Sequence, residues 1–156
     1  MKECSYYEMV YQAADVRYLY AADDGITGES AIILVVPLEG SSLQNILLYY
    51  PVERVAEHLA MEAEFDAKAF AALISADGTI IAHNGKPSEF LKHDNLWGAI
   101  ENPTYANSVA GARVQIKNSI DGTIKVKSNG EERTLVYHPI GINDWALVIG
   151  IHQDYV

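Results

Sequence analysis

The chain reads as a mixed α+β fold built on an antiparallel sheet with flanking helices, and three observations carry that reading. Apolar runs of strand length recur with turn residues between them. An Asp-Gly pair joins two of these runs at hairpin spacing. The links among the last three runs are too short for crossover helices, so those strands must be antiparallel neighbours. At 156 residues the chain has the length of one domain and can bury a core without disulfides or metals. Residues 1–156 are therefore expected to form a single domain with one core, a helical stump over 1–15 and a sheet core over 16–152.

The elements follow in order. Tyr6, Val10 and Ala13 or Ala14 recur at helical spacing with Glu8 and Gln12 between them, which predicts a short N-terminal helix after a Ser5 cap. Val16 to Ala21 is rich in β-formers and ends at Asp23-Asp24-Gly25, a turn in which Gly supplies positive φ. Ala31 to Leu38 and Asn45 to Tyr50 are continuous apolar runs joined through Gly40-Ser41-Ser42, and they predict two adjacent buried strands. From Val52 the period changes. Val52, Val55, Ala56, Leu59 and Ala63 share one face while Glu53, Arg54, Glu57 and Glu62 share the other, as in a surface helix lying on a sheet.

After Phe65-Asp66, the segment Ala69 to Ser75 turns at Asp77-Gly78 and returns as Thr79 to His83, an antiparallel hairpin. Pro87 to Gly111 is less regular, with a short helix from Ser88 holding Phe90 and Leu91, then loop residues around Asn102-Pro103. Thr123 to Lys127 alternates, Asn129-Gly130 turns the chain, Arg133 to Ile140 follows, and Trp145 to His152 closes a three-strand meander. A sheet covered on one side by helices and a connector leaves a natural pocket on its concave face.

Composition excludes several functions. A net charge of -10 disfavours nucleic acid and anionic lipid, which need a concentrated positive surface. Lys125, Lys127 and Arg133 read as the solvated side of a hairpin. The single cysteine, Cys4, cannot form an internal disulfide and stands apart from any His-Asp arrangement. No apolar run approaches membrane-spanning length. An initiating Met can stand on any excised domain, so this leaves room for membrane segments elsewhere. No catalytic triad, phosphate-cradling loop or zinc-ligand spacing occurs, so no enzyme, cofactor or metal is expected. Asp23, Asp24 and Glu29 lack the alternating oxygen ligands of a calcium loop and read as a solvated turn.

Several phrases, in this order and spacing, resemble the Cache family, the PAS-like extracytoplasmic sensor domains of bacterial receptors. They are Ala31-Ile-Ile-Leu-Val-Val-Pro37, the following strand with the helix from Val52 to Met61, Leu73-Ile-Ser-Ala-Asp-Gly-Thr-Ile-Ile-Ala-His83, Tyr137-His-Pro-Ile140, and Trp145-Ala-Leu-Val-Ile149. The resemblance covers about residues 16 to 152. It implies a PAS-like antiparallel sheet of five or more strands with an N-terminal helix descending toward the membrane. It also implies a small-molecule ligand of unknown class, sensed on the extracytoplasmic side and relayed to an output domain outside the chain, as in diguanylate cyclases, histidine kinases and chemoreceptors. A homodimer through the N-terminal helix is an expectation of the same reading. One departure stands out. Members that bind amino acids carry a longer segment with an Arg-Trp-Tyr cluster where this chain has only Asp24 to Ser30, so amino-acid recognition does not carry over. The alternative is a dimerisation or interaction module with a vestigial pocket.

Six residues are candidates for ligand contact. His83 ends the second arm of the hairpin, where a side chain could face a pocket and titrate, or simply bond water or backbone. Tyr137 and His138 point to opposite faces, and Tyr137 shares parity with Leu135, which favours it for the concave side. Tyr18 and Tyr20 share one face of the first strand, as ligand contacts or as core packing. Trp97 and Tyr105 lie in the covering connector, which contributes to the pocket in the resembling family, with plain lid packing as the alternative. A third functional reading, a small hydrolase or isomerase, requires His83, His138 and Asp144 to converge.

Overall fold

The computed structural model describes residues 7–11, 13–25, 27–39, 44–61, 68–84, 88–100, 103–128 and 130–155. Its elements are α1 (Tyr7–Tyr11), β1 (Arg17–Ala21), β2 (Ala31–Pro37), β3 (Asn45–Pro51), α2 (Val52–His58), β4 (Ala69–Ser75), β5 (Ile80–His83), α3 (Ala106–Lys117), β6 (Gly122–Ser128), β7 (Glu131–Pro139) and β8 (Trp145–His152), with 3-10 turns at Glu89–Leu91, Pro103–Tyr105 and Gln153–Tyr155. The fold is α+β, as expected. The Ser5 cap, Cys4, Gly40-Ser41-Ser42, Phe65-Asp66 and Asn129 lie outside the described residues. The chain forms two compact units, Met1–Arg54 and Val55–Val156. Each has its own sheet and hydrophobic cluster, where the sequence predicts one core.

The first unit holds a three-stranded antiparallel meander, β1-β2-β3. Residues directly opposite in an antiparallel pair point to the same face. One face therefore carries Leu19, Ala21, Ala31, Ile33, Val35 and Leu47, and these pack with Val10 of α1 and with Ala13 into one cluster. The Asn45 Nδ2 donates to the Val10 carbonyl at 2.8 Å and ties α1 to the start of β3. The other face carries Tyr18, Tyr20, Ile32, Leu34, Val36, Ile46, Leu48 and Tyr50.

Two expectations are corrected in this unit. β3 is not a buried strand, because it lies at the edge of its sheet and Ile46, Leu48, Tyr49 and Tyr50 are exposed. Apolar content alone cannot separate a buried strand from an uncovered edge. Asp24 is not a solvated turn residue but is 5% exposed. Its carboxylate accepts from the Thr27 amide at 2.7 Å, the Gly28 amide at 3.0 Å and the Thr27 hydroxyl at 2.8 Å. These bonds repay its burial and occupy the oxygens that a cation would need.

The second unit holds five antiparallel strands in the order β5-β4-β8-β7-β6. β4 and β5 form the predicted hairpin, with Gly78 at φ +97. The Gly78 amide donates to the Ser75 carbonyl at 2.9 Å and the Ser75 amide to the Thr79 carbonyl at 3.0 Å. β6, β7 and β8 form the predicted meander, and β8 returns to pair with β4 from Ala69↔Ile151 to Ser75↔Trp145. β4 is buried along almost its whole length, as expected for a strand with a neighbour on each edge and cover on its faces.

The inner face of this sheet carries Phe70, Ala72, Ile74, Ile124, Val126, Leu135, Tyr137, Ala146 and Val148, all in one cluster. The helix α3 is missing from the sequence reading, which ends the irregular connector at Gly111. Only Ala112 and Ile116 of α3 are buried, so its apolar stripe is narrow and partly made of alanine. The spacing Tyr105, Val109, Ala112, Ile116 nevertheless follows helical period, and all four pack on the cluster.

Arg133 is a further correction. It is buried rather than solvated, while Lys125 and Lys127 are exposed as expected. Its partner across the ladder is Val126, an inner-face residue. The guanidinium donates to the Lys68 carbonyl at 3.0 Å and the Gly150 carbonyl at 3.1 Å, pairs with Glu131, and lies 5.5 Å from the centre of the Phe70 ring. Bonds of this number are what make a buried charge tolerable.

Two predictions follow from this packing. Gly150 has the Phe70 ring where a side chain would stand, so Gly150→Ala should cost about 1–3 kcal/mol, read as a lower urea midpoint with unchanged slope. The Asp77 carboxyl is held below the ordinary aspartate value, first by the Ser75 hydroxyl and then by the Thr79 amide. A depressed folded pKa gives stability that is present above the unfolded value and lost as pH falls through the folded one. Asp77→Asn should therefore flatten the acid limb of a stability profile below about pH 4, while a wild-type limb of equal steepness in the variant would count against this role.

Candidate functional site

The site that sequence and fold both indicate is the concave side of the five-stranded sheet, under α3 and the connector. Its floor is Phe70, Leu135, Tyr137 and Val148, and its cover includes Phe90, Leu96, Trp97 and Ile116. Phe90 packs over Phe70 with ring centres 6.3 Å apart. Phe70, Phe90, Leu96, Ile116, Leu135 and Tyr137 are each at most 1% exposed. The interior is thus filled by the protein's own side chains.

Several of its polar groups bond within the protein. Tyr137 faces inward, as its parity with Leu135 predicts, and its hydroxyl donates to the Gln115 side-chain carbonyl of α3. Burial pushes its phenol pKa up, which keeps the group a neutral donor. Glycine at position 122 makes room for that hydroxyl, because an added Cβ there would overlap it. The Trp97 Nε1 donates to the Ala76 carbonyl at 3.0 Å, and its ring lies against Gly78 of the hairpin. The buried Ser128 hydroxyl donates to the Ala99 carbonyl at 2.7 Å, fastening the connector to β6.

The structure therefore brings Trp97, Tyr105 and Tyr137 to one apolar cluster, with Tyr105 half-buried at the start of α3. His83 stands at the exposed end of β5. Tyr18 and Tyr20 belong to the first unit, half-buried on the sheet face opposite its core. Gln115 and Phe70 are not singled out by the sequence, and Arg133 is read there only as a solvated charge. Gln115 could have been found through the stripe at Val109, Ala112 and Ile116, and Arg133 through its shared parity with Leu135 and Tyr137.

His83 and His138, two of the three groups that the hydrolase or isomerase reading requires, lie on different strands. His138 is exposed on β7 and lies 2.8 Å from the Asp121 carboxylate. His83 is on β5, three strands away in the order β5-β4-β8-β7, or roughly 14 Å at the usual strand spacing. Among the described residues no group of three or more His, Cys, Asp or Glu could hold a metal ion. No described helix is long and apolar enough to cross a membrane.

No family model matches the chain, and no curated protein does. Solved structures do. The ligand-binding domain of the Pseudomonas fluorescens chemoreceptor CtaA, in complex with L-leucine, aligns with a TM-score of 0.62 at 15% identity, over 95% of this chain and 58% of that one. The ligand-binding domain of the Pseudomonas aeruginosa PAO1 amino acid chemoreceptor PctB, in complex with L-Arg, aligns at 0.65 and 14% identity, over 96% and 55%. The extracellular domain assigned to the histidine kinase mmHK1S-Z3 aligns at 0.62 and 17% identity, over 88% and 50%. This chain thus spans between half and three-fifths of the length of each. At such identities the likeness is one of fold, and at that level the resemblance to Cache sensor domains holds.

The filled interior gives a direct prediction. Tyr137→Ala should cost about 3–5 kcal/mol through the cavity it leaves, while Tyr137→Phe should cost about 1 kcal/mol for the lost hydrogen bond. Chemical denaturation of both variants checks this, and near-equal losses would show that the ring does not fill the interior.

Proposed function

We propose that the chain is the extracytoplasmic sensing part of a bacterial transmembrane receptor, with residues 1–156 acting as one sensor domain. Small-molecule binding would shift the population between two arrangements of the sheet and its helices, and an output domain outside these residues, such as a kinase or a diguanylate cyclase, would read that shift. The observation that supports this reading is the antiparallel five-stranded sheet, order β5-β4-β8-β7-β6, within a fold shared with receptor domains solved on ligands. Candidate contacts are Tyr18, Tyr20, His83, Trp97, Tyr105 and Tyr137. A ligand in the second unit would have to displace packed side chains, since the sheet interior is occupied.

That packing favours one second reading, in which the second unit is a transmission or dimerisation module whose ancestral pocket has closed. Ligand response separates the two. A ligand at one hundred times its dissociation constant adds about 2.7 kcal/mol, which at this chain length raises Tm by roughly 5–10 °C. The sensor reading expects such a shift for one chemical class in a thermal-shift panel of carboxylates, amines, amino acids, sugars and nucleobases. A flat response across the panel supports the closed-pocket module instead.

A further inference from the structure

We propose that Phe70 and Arg133 form a link that carries the packing state of the sheet interior to the corner where the chain enters β4 and leaves β8. The inference starts from one ring and its neighbours. Phe70 stands on the inner face of β4, fully buried, with its centre 6.3 Å from that of Phe90 in the cover. The Arg133 guanidinium lies over the same ring, 5.5 Å from its centre. Gly150 of β8 gives the ring its place, because an added Cβ there would overlap it. A single side chain therefore meets the cover, the backbone of β8 and a buried cation.

Arg133 belongs to β7, yet it reaches past β8 to the residue before β4. The strand order is β4-β8-β7, and the guanidinium donates to the Gly150 carbonyl at 3.1 Å and the Lys68 carbonyl at 3.0 Å. The Lys68 carbonyl also accepts from the His152 amide at 2.9 Å, and His152 is the ladder partner of Arg133. A carbonyl oxygen has two lone pairs, so Lys68 holds the cation and the last residue of β8 on one atom. Beyond it the Asp154 amide donates to His152 Nδ1 at 3.3 Å, and the Thr134 hydroxyl donates to the Gln153 side-chain carbonyl at 3.5 Å. One hydrogen-bonded network thus joins β4, β7, β8 and the closing turn Gln153–Tyr155.

Coupling requires an element with two arrangements, and the Arg133 side chain supplies it. Glu131 stands two residues away on the same face of β7 and pairs with the guanidinium. Its side chain is 19% exposed against 8% for Arg133. The cation can leave the two carbonyls with its counter-charge attached, which avoids the large penalty of an unpaired buried charge. Close-packed interiors transmit strain. Moving Phe90 therefore moves Phe70, and the ring face that attracts the guanidinium no longer holds it over the carbonyls. Lys68 then loses one of its two donors and the end of β8 loosens. On the sensing reading proposed above, a ligand that displaces interior side chains is what moves Phe90. Only that clause rests on the sensing reading, since the link responds to any change of interior packing.

Proton–nitrogen correlation NMR of the whole chain tests the link without any ligand. Phe90→Leu keeps an apolar side chain in the cover and removes the ring. It should shift the Arg133 Nε–H signal and the backbone amides of His152 and Asp154, the His152 proton moving upfield as its bond lengthens. In an Arg133→Met background the same Phe90→Leu change should leave His152 and Asp154 where they are. Where Arg133→Met does not fold, Phe70→Leu breaks the link at the ring and serves as the background instead. A purely structural role for these residues lowers the urea midpoint and moves none of the distant signals. His152 and Asp154 unmoved by Phe90→Leu, or moved equally with and without the link, overturns the proposal. Failure here leaves the sensing reading to the thermal-shift panel, and a flat panel with a shifted His152 leaves the link standing without a ligand.

Discussion

The pairing of β4 with β8 is the constraint on which the rest of the second unit depends. It joins the early hairpin to the late meander, from Ala69↔Ile151 to Ser75↔Trp145, and it is the long-range ladder of that sheet. Ordering the intervening chain costs entropy before any contact repays it. Repayment comes from the inner face, where the absent side chain of Gly150 lets the Phe70 ring lie on β8. Arg133 then seals the same corner by donating to the carbonyls of Lys68 and Gly150. One close approach and one buried cation thus hold three strands in a single register.

That packing decides what the sheet can do. A twisted antiparallel sheet covered on one side has a natural ligand space, but here Tyr137, Phe70, Phe90 and Leu96 occupy it and the Tyr137 hydroxyl is bound to Gln115. Neighbours of the same fold were solved with L-leucine and L-Arg. Their fold is common ground, and this chain's sheet interior is occupied by its own side chains. The first unit differs in kind. Its sheet is core on one face and half-exposed aromatic and aliphatic on the other.

Much of this was legible in the sequence, and the successes share a cause. Strands bounded by strong turn signals were placed almost to the residue. The hairpin at Asp77-Gly78 and the alternating strand around Thr123–Lys127 are the clearest, because positive-φ glycine and strict alternation are local signals. The failures were non-local. β3 reads as buried because apolar runs mark burial only when another element covers them, and coverage is not written in the run. Arg133 reads as solvated because its partners are the carbonyls of Lys68 and Gly150, far away in sequence. Asp24 reads as a turn charge, yet its short-range bonds to Thr27 and Gly28 bury it. α3 was missed because its buried stripe is narrow. Of the six candidate residues, the inward face of Tyr137 followed from parity alone, while the filling of the space around it required the whole fold.

Native-state hydrogen exchange tests the central claim most directly. If the β4–β8 ladder holds the second unit together, amides of β4 and β8 should be its slowest and should exchange together, at the free energy of global unfolding. β3, the last strand of the first unit's three-stranded sheet, should exchange far faster. If β4 exchanges ahead of the β6-β7-β8 meander, or at a separate lower free energy, the meander is stable without the hairpin and the account is contradicted.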